Sequence, residues 1–193
     1  MIPPVITKDR LRAPVDKTAV LGRQQRPYEP PDPEVVRAQL LDEALQMVAP
    51  REGFRERAYR DPAGVWTVGY GETGPSVGPG TTRSREAALN FLRGRLAEDA
   101  AMLERQRVPL SPGLLSATYN LGPTKLRRYG VIEALRAGEY DRGADILETA
   151  TKARVRGRLR DLPGLVERRQ AEAMSIRKSD PNDPLGIFRT GQE

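Results

Sequence analysis

The chain has 193 residues, 38% of them hydrophobic, a net charge of +6, and neither cysteine nor histidine. That length accommodates one domain of ordinary size or two small lobes. The two missing residue types exclude disulfides, thiolate chemistry, Ser-His and Cys-His catalysis and most zinc hydrolase sites, which leaves acid–base work to Asp and Glu, with Tyr and Lys as distant options.

No apolar run approaches 18 residues, so no membrane span is expected. The start, MIPPVITKDR, lacks the layout of a secretory signal, so no export route of its own is expected. The basic excess reads mainly as a solvated surface of mixed charge. Its functional alternative is attraction to an anionic polymer: a cell wall, an outer-membrane surface or nucleic acid.

Residues 1–31 contain six prolines, with Pro33 just beyond, and few large apolar side chains. An extended arm with polyproline character is predicted there. Asp32-Pro33-Glu34 is a helix start, and Val36, Leu40, Ala44 and Val48 follow at four-residue steps as one apolar face. Pro50 predicts a kink or break just before Glu52. Ala58–Arg60 and Val65–Tyr70 read as strands around an Asp61-Pro62-Ala63-Gly64 turn, and five glycines from Gly69 to Gly80 make the remainder of that region loop-like.

Thr82 or Ser84 opens a long helix, with Leu89, Leu92, Leu96, Ala100 and Leu103 as its buried stripe. Ser111-Pro112 opens another, ended by Gly122. Helices are predicted over 126–137 and 140–149. ARVRGRLRD, without a clear apolar face, reads as a loop. A last helix begins at Asp161-Leu162-Pro163, with Leu165, Val166, Ala173 and Ile176 inward, and a polar tail is predicted over 178–193. The expected division is an arm over 1–31, a folded domain over 32–177 and the tail.

The chemistry concentrates in Arg51–Thr73. Glu52 closes a helical pattern, Asp61 sits at a hairpin turn and Thr67 follows on the return strand. Glycoside hydrolysis needs two carboxyl groups flanking the scissile bond, one protonated and one ionised. Glu52, at an apolar helix end beside Phe54, suits the acid through partial desolvation. Asp61, at an exposed turn with backbone donors nearby, suits the base. Thr67 falls on the strand face of Val65, Gly69 and Gly71, where small neighbours leave room for a sugar or a water. Taken singly, each is an ordinary helix-end, turn or strand residue. Their joint spacing within A-Y-x-D-x-x-G-x-x-T-x-G-Y-G carries the signal.

Glu52-Gly53, Ala58-Tyr59-Arg60-Asp61 and Gly64 to Gly71 together resemble the phage-type (T4-like and lambdoid) lysozymes. Tyr119-Asn120-Leu121-Gly122, the stretch from Gly130 to Tyr140, and Gly164-Leu165-Val166-Glu167-Arg168-Arg169 with Glu172 extend the resemblance over roughly residues 35–177. It implies an α+β, mostly α fold of two lobes, a small β-hairpin lobe joined by a long helix to a helical lobe. It implies a muramidase cutting between N-acetylmuramic acid and N-acetylglucosamine in peptidoglycan, with Glu52 as general acid, Asp61 as second carboxylate and Thr67 as water-holder, and with inversion at the anomeric carbon. Asn120 and Tyr70 are candidate substrate contacts, and Arg168 or Arg169 is a candidate to orient Glu52. Glu72 stands where the family often has His, and is expected either to raise the pKa of its neighbours or to point to solvent.

No cofactor or metal is expected, and nucleic acid is disfavoured as a partner. The arm and tail, unneeded for catalysis, read as anchors to a virion or other protein partner. Such a protein would be located in the virion. The alternatives are a free endolysin, released from the host cytoplasm to the periplasm and wall, and a catalytically silent virion protein of lysozyme fold, against which the intact Glu52, Asp61 and Thr67 argue.

Overall fold

A computed structural model describes residues 32–155 and 158–182. The arm expected over 1–31 and the tail beyond Asn182 lie outside the described residues. Within them the fold is α+β and mostly helical, with seven helices and a small three-stranded sheet.

Helix α1 (Pro33–Glu52) buries Leu41, Ala44 and Val48, the face predicted by the apolar period, though Val36 near its start is exposed. Of the kink or break expected at Pro50, the break does not occur, and the helix runs two residues further. Pro50 is exposed and in the last turn, so the carbonyl it leaves without an amide partner can turn to water. Gly53 then takes φ +70°, the left-handed conformation that ends a helix without strain on a side chain. Glu52 is thereby the last helical residue.

The sheet comes next: β1 (Arg55–Arg60), β2 (Trp66–Gly69) and β3 (Glu72–Thr73), in that order and antiparallel. The β1–β2 hairpin is the predicted one, with Tyr59 opposite Thr67 and Arg60 opposite Trp66. The register shifts between Arg55 and Tyr59, which marks a bulge near the start of β1. Strand β3 replaces part of the loop expected from the glycines, pairing Thr73 with Thr67 and Glu72 with Val68.

Helix α2 (Arg85–Arg105) starts at Ser84, whose hydroxyl accepts from the Ala87 amide at 3.1 Å. Its 21 residues span about 30 Å at the usual rise per residue, carrying the chain from the sheet into the helical layer. Ala88, Leu92, Leu96, Ala100 and Leu103 are its buried stripe. Leu89 is only half-buried, one position off the expected face.

Helix α3 (Pro112–Leu121) is the centre of the core, with every residue from Gly113 to Thr118 buried. It packs on α1 and on α7 (Pro163–Lys178). A Cβ on Gly113 would lie 2.1 Å from the Glu172 carbonyl oxygen, so only glycine lets α3 approach α7 this closely. The single helix predicted over 126–137 is two, α4 (Pro123–Tyr129) and α5 (Val131–Arg136), with Gly130 between them. Helix α6 (Tyr140–Glu148) matches its prediction.

The stretch read as a loop is a hairpin, β4 (Lys152–Val155) with β5 (Arg158–Asp161), paired in register from Lys152–Asp161 to Val155–Arg158. Alternating arginines are themselves a period of two, and ladder hydrogen bonds need no apolar face. Among the described residues no helix is long and apolar enough to cross a membrane.

Candidate active site

Glu52 presents its carboxylate at the end of α1, where the side chain is partly buried. What the fold supplies is a buried arginine. Arg168 of α7, 5% exposed, donates from Nη1 to Glu52 Oε1 at 3.0 Å across 116 residues of sequence. Its Nε donates to Glu172 Oε1 at 3.0 Å and its Nη2 to the Ser116 carbonyl at 3.4 Å.

Glu172, fully buried, also accepts from the Ser116 hydroxyl at 2.6 Å and from Arg169 Nη1. Arg169, equally buried, donates to the Ala150 carbonyl at 3.2 Å and to Asn120 Oδ1. Burial lowers the pKa of Arg169, with Glu172 opposing the shift and Arg168 reinforcing it. Two guanidiniums therefore surround one buried carboxylate, and one of them, Arg168, also reaches Glu52. Charges taken from water are tolerable only when paired and fully hydrogen-bonded. Among the described residues no buried side-chain nitrogen or oxygen lacks a partner. Spacing does the rest: on α7, Arg168 and Arg169 sit four and three residues before Glu172, on one helix face.

Asp61 is placed by the opposite device, its own turn. Its Oδ1 accepts from the Ala63 amide at 2.9 Å and the Val65 amide at 2.8 Å. Its backbone closes the turn, Asp61 N donating to Val65 O at 2.9 Å and Gly64 N to Asp61 O at 2.8 Å. Thr67, 5% exposed, donates its hydroxyl to the same Val65 carbonyl at 3.2 Å. One carbonyl thus joins Asp61 and Thr67, while the second Asp61 oxygen and the Thr67 lone pairs remain to accept.

A cavity of about 510 Å³ opens at Glu52, lined also by Gly71, Thr73, Phe91, Arg95, Asp99, Thr118, Tyr119, Gly122 and Pro123. Neither Asp61 nor Thr67 lines it. Tyr119, at the end of α3, donates its hydroxyl to the Tyr70 carbonyl at 2.8 Å and so ties the helical layer to the end of β2. Burial, and after it the negative charge of Glu52, pushes its pKa up to about 12, which keeps the phenol protonated as a donor.

Three expectations change. Tyr70 is turned into the core at 5% exposure, its ring 5.5 Å from Phe54 and its hydroxyl accepting from Arg85 at 2.9 Å. It borders a separate hollow with Pro50, Gly53 and Arg85, not the Glu52 cavity. The Asn120 carbonyl is taken by Arg169, so its amide NH₂ is what it can offer a ligand. Glu72 neither points to solvent nor stands as a free third acid. It is 5% exposed and bidentate with Arg83, at 2.9 and 2.7 Å. The pair pins β3 to the segment before α2.

Sequence reading missed Phe91, Arg95, Asp99 and Tyr119. A signal for the first three exists: they recur at four-residue steps beside the buried α2 stripe.

The comparisons agree with this architecture. The family model for phage lysozyme matches residues 49–172. An endolysin of Acyrthosiphon pisum secondary endosymbiont phage 1 is 35% identical, over 69% of this chain and 94% of that protein. Among solved structures, the muramidase domain of SpmX from Asticaccaulis excentricus superposes with a TM-score of 0.62 at 25% identity, covering 69% of this chain and 93% of that one. An endolysin from Escherichia coli O157:H7 phage FAHEc1 gives 0.62 at 27%, covering 73% and 94%. The chain belongs to the phage lysozyme family and is a glycoside hydrolase of the muramidase type.

Proposed function

We propose that this peptidoglycan hydrolase cuts the glycosidic bond between N-acetylmuramic acid and N-acetylglucosamine by acid–base catalysis with inversion. Glu52 gives its proton to the leaving oxygen. A water held by the Thr67 hydroxyl attacks the anomeric carbon from the opposite face, and Asp61 takes the proton that the water loses. The observation that carries the reading is the Arg168 contact, which aims the Glu52 carboxylate at the mouth of a cavity. Asn120 adds a donor for an N-acetyl carbonyl through its NH₂, and Arg168, Arg169 and Glu172 act by positioning.

The test is a digest of purified peptidoglycan followed by borohydride reduction. New muramicitol ends support the reading, and glucosaminitol ends contradict it. Proton NMR of the first-formed anomer reads the inversion: the α-anomer is expected first, because the strand is β-linked, and the β-anomer would count against inversion.

In the same reading residues 32–177 are the catalytic domain. The proline-rich arm over 1–31 and the polar tail anchor the protein in a virion, where it opens the wall at entry. The endolysin name of the 35% identical relative favours a second role, release from the host cytoplasm at lysis. Immunoblots separate the two, since a virion component stays with washed, purified particles and a free endolysin appears only in lysates.

A further inference from the structure

The Glu52 cavity has a second wall, and the proposed chemistry does not use it. Phe91, Arg95 and Asp99 stand at four-residue steps on α2, beside the buried stripe of Leu92, Leu96 and Ala100, and all three line the cavity. Glu52, Glu72 and Glu172 are each held by an arginine. Asp99 is half-buried, yet among the described residues it receives no hydrogen bond and forms no ion pair. Its neighbour Arg95 is turned instead to Glu98, at 2.9 Å. Burial is the main influence on the Asp99 carboxyl and raises its pKa, with Arg95 opposing.

The Asp99 oxygens are not sealed from solvent, since among the described residues no buried side-chain oxygen lacks a partner, and they are left to accept from whatever fills the cavity. Phe91 is 37% exposed, an apolar ring left in a polar cleft wall. An acceptor-only carboxylate a little over two turns, about 12 Å, along α2 from an open aromatic face matches one ligand chemistry well. A pyranose ring presents an apolar C–H face and a rim of O–H and N–H donors.

We propose that Phe91 and Asp99 form a saccharide subsite on α2, where Asp99 accepts hydrogen bonds from hydroxyl or N-acetyl N–H groups of one sugar of the glycan strand and Phe91 covers the apolar face of the neighbouring sugar. The subsite rests on the reading of Glu52 as the acid, because it binds the strand whose leaving oxygen Glu52 protonates. Neither residue takes part in proton transfer. Both set where the strand lies.

The experiment is calorimetric titration of the full chain with a soluble tetrasaccharide of alternating N-acetylglucosamine and N-acetylmuramic acid. The background is Glu52→Gln, to prevent turnover. Adding Asp99→Asn or Phe91→Ala is expected to weaken binding about tenfold each, the size of one lost hydrogen bond to a charged group or one lost stacking contact. Asp99→Glu, which keeps the acceptor, is expected to retain part of the affinity. In the Glu52-intact protein, Asp99→Asn is expected to raise KM about tenfold with kcat within about twofold. Unchanged affinity in both Asp99→Asn and Phe91→Ala would overturn the subsite, as would a fall confined to kcat. Phe91→Ala, at an exposed position, keeps the test decisive if Asp99→Asn folds poorly. Should the Glu52→Gln background still cleave the tetrasaccharide, the assignment of the acid fails separately, and binding is then read with an uncleavable thioglycoside analogue.

Discussion

The two carboxylates proposed for catalysis are positioned in contrasting ways. Asp61 is held by amides two and four residues away in its own turn, and the carbonyl it shares with Thr67 belongs to that same turn. Glu52 is held by Arg168 across 116 residues, and Arg168 by Glu172, itself fixed from α3 by Ser116. The first arrangement is local, exposed and built from backbone. The second is long-range and buried, and consists of charge. A local turn forms wherever its few residues are present, whereas a buried ion network exists only when α3, α7 and α1 are fully packed. One side of the site should therefore tolerate substitution without loss of fold, and the other should not.

The largest effect is expected at the centre of the network. Glu172→Gln leaves two buried guanidiniums around a neutral group and should cost about 3–5 kcal/mol in urea unfolding. A cost below about 1 kcal/mol would mean that the network is not what holds α7 to α3. Gly113→Ala comes next, because its methyl would press on the Glu172 carbonyl and on Ser175 Cβ 2.8 Å away. Overpacking of that kind should cost about 1–3 kcal/mol. It should also lower activity, since α7 carries Arg168.

The hairpin should behave in the other way. Asn at position 61 keeps an oxygen for both turn amides, so Asp61→Asn should stay within about 1 kcal/mol of the parent in stability. Its clearing of permeabilised bacteria should nevertheless fall by about 10²–10⁴, the usual contribution of an acid–base group. Unfolding of this variant would erase the contrast between the two sides.

The smallest effect concerns the bond between them. Tyr119 has a raised pKa in the folded chain, so the fold holds its proton more tightly than the unfolded chain does. The stability this contributes is complete below the unfolded value near 10 and is lost as pH rises toward about 12. Urea midpoints measured from pH 9 to 12 should fall more steeply for the parent than for Tyr119→Phe. Parallel curves would show that the phenol proton is not linked to folding.

The same contrast governs what could be read in advance. Asp61, Thr67 and their hairpin were legible because turn chemistry and strand alternation act over four to six residues. The helices were legible from apolar period and from caps such as Ser84 and Ser111. Arg168 could be placed near Glu52 only through family resemblance, because nothing in the local pattern of α7 distinguishes a buried arginine from a solvated one. Tyr70 was misjudged for the same reason: alternation gives a face, but α2 and Phe54 decide whether that face is cleft or core. Glu72 was opaque because its partner, Arg83, lies eleven residues on, past a glycine-rich segment with no regular period. The β4–β5 hairpin was missed because an apolar face was sought where alternation alone was present. Asp99 was missed because a polar stripe beside a buried one looks like solvent-facing surface until a second wall faces it.

The chemistry proposed for the site turns on Glu52, held by Arg168, as the acid. The most direct measurement is the rate of turbidity clearing of permeabilised Gram-negative cells by the parent and by Glu52→Gln, with thermal unfolding of both recorded alongside. Gln keeps an oxygen for Arg168 but cannot donate the proton, so clearing should fall by about 10²–10⁴ at an unchanged unfolding temperature. Clearing by Glu52→Gln at the parent rate would rule out Glu52 as the acid.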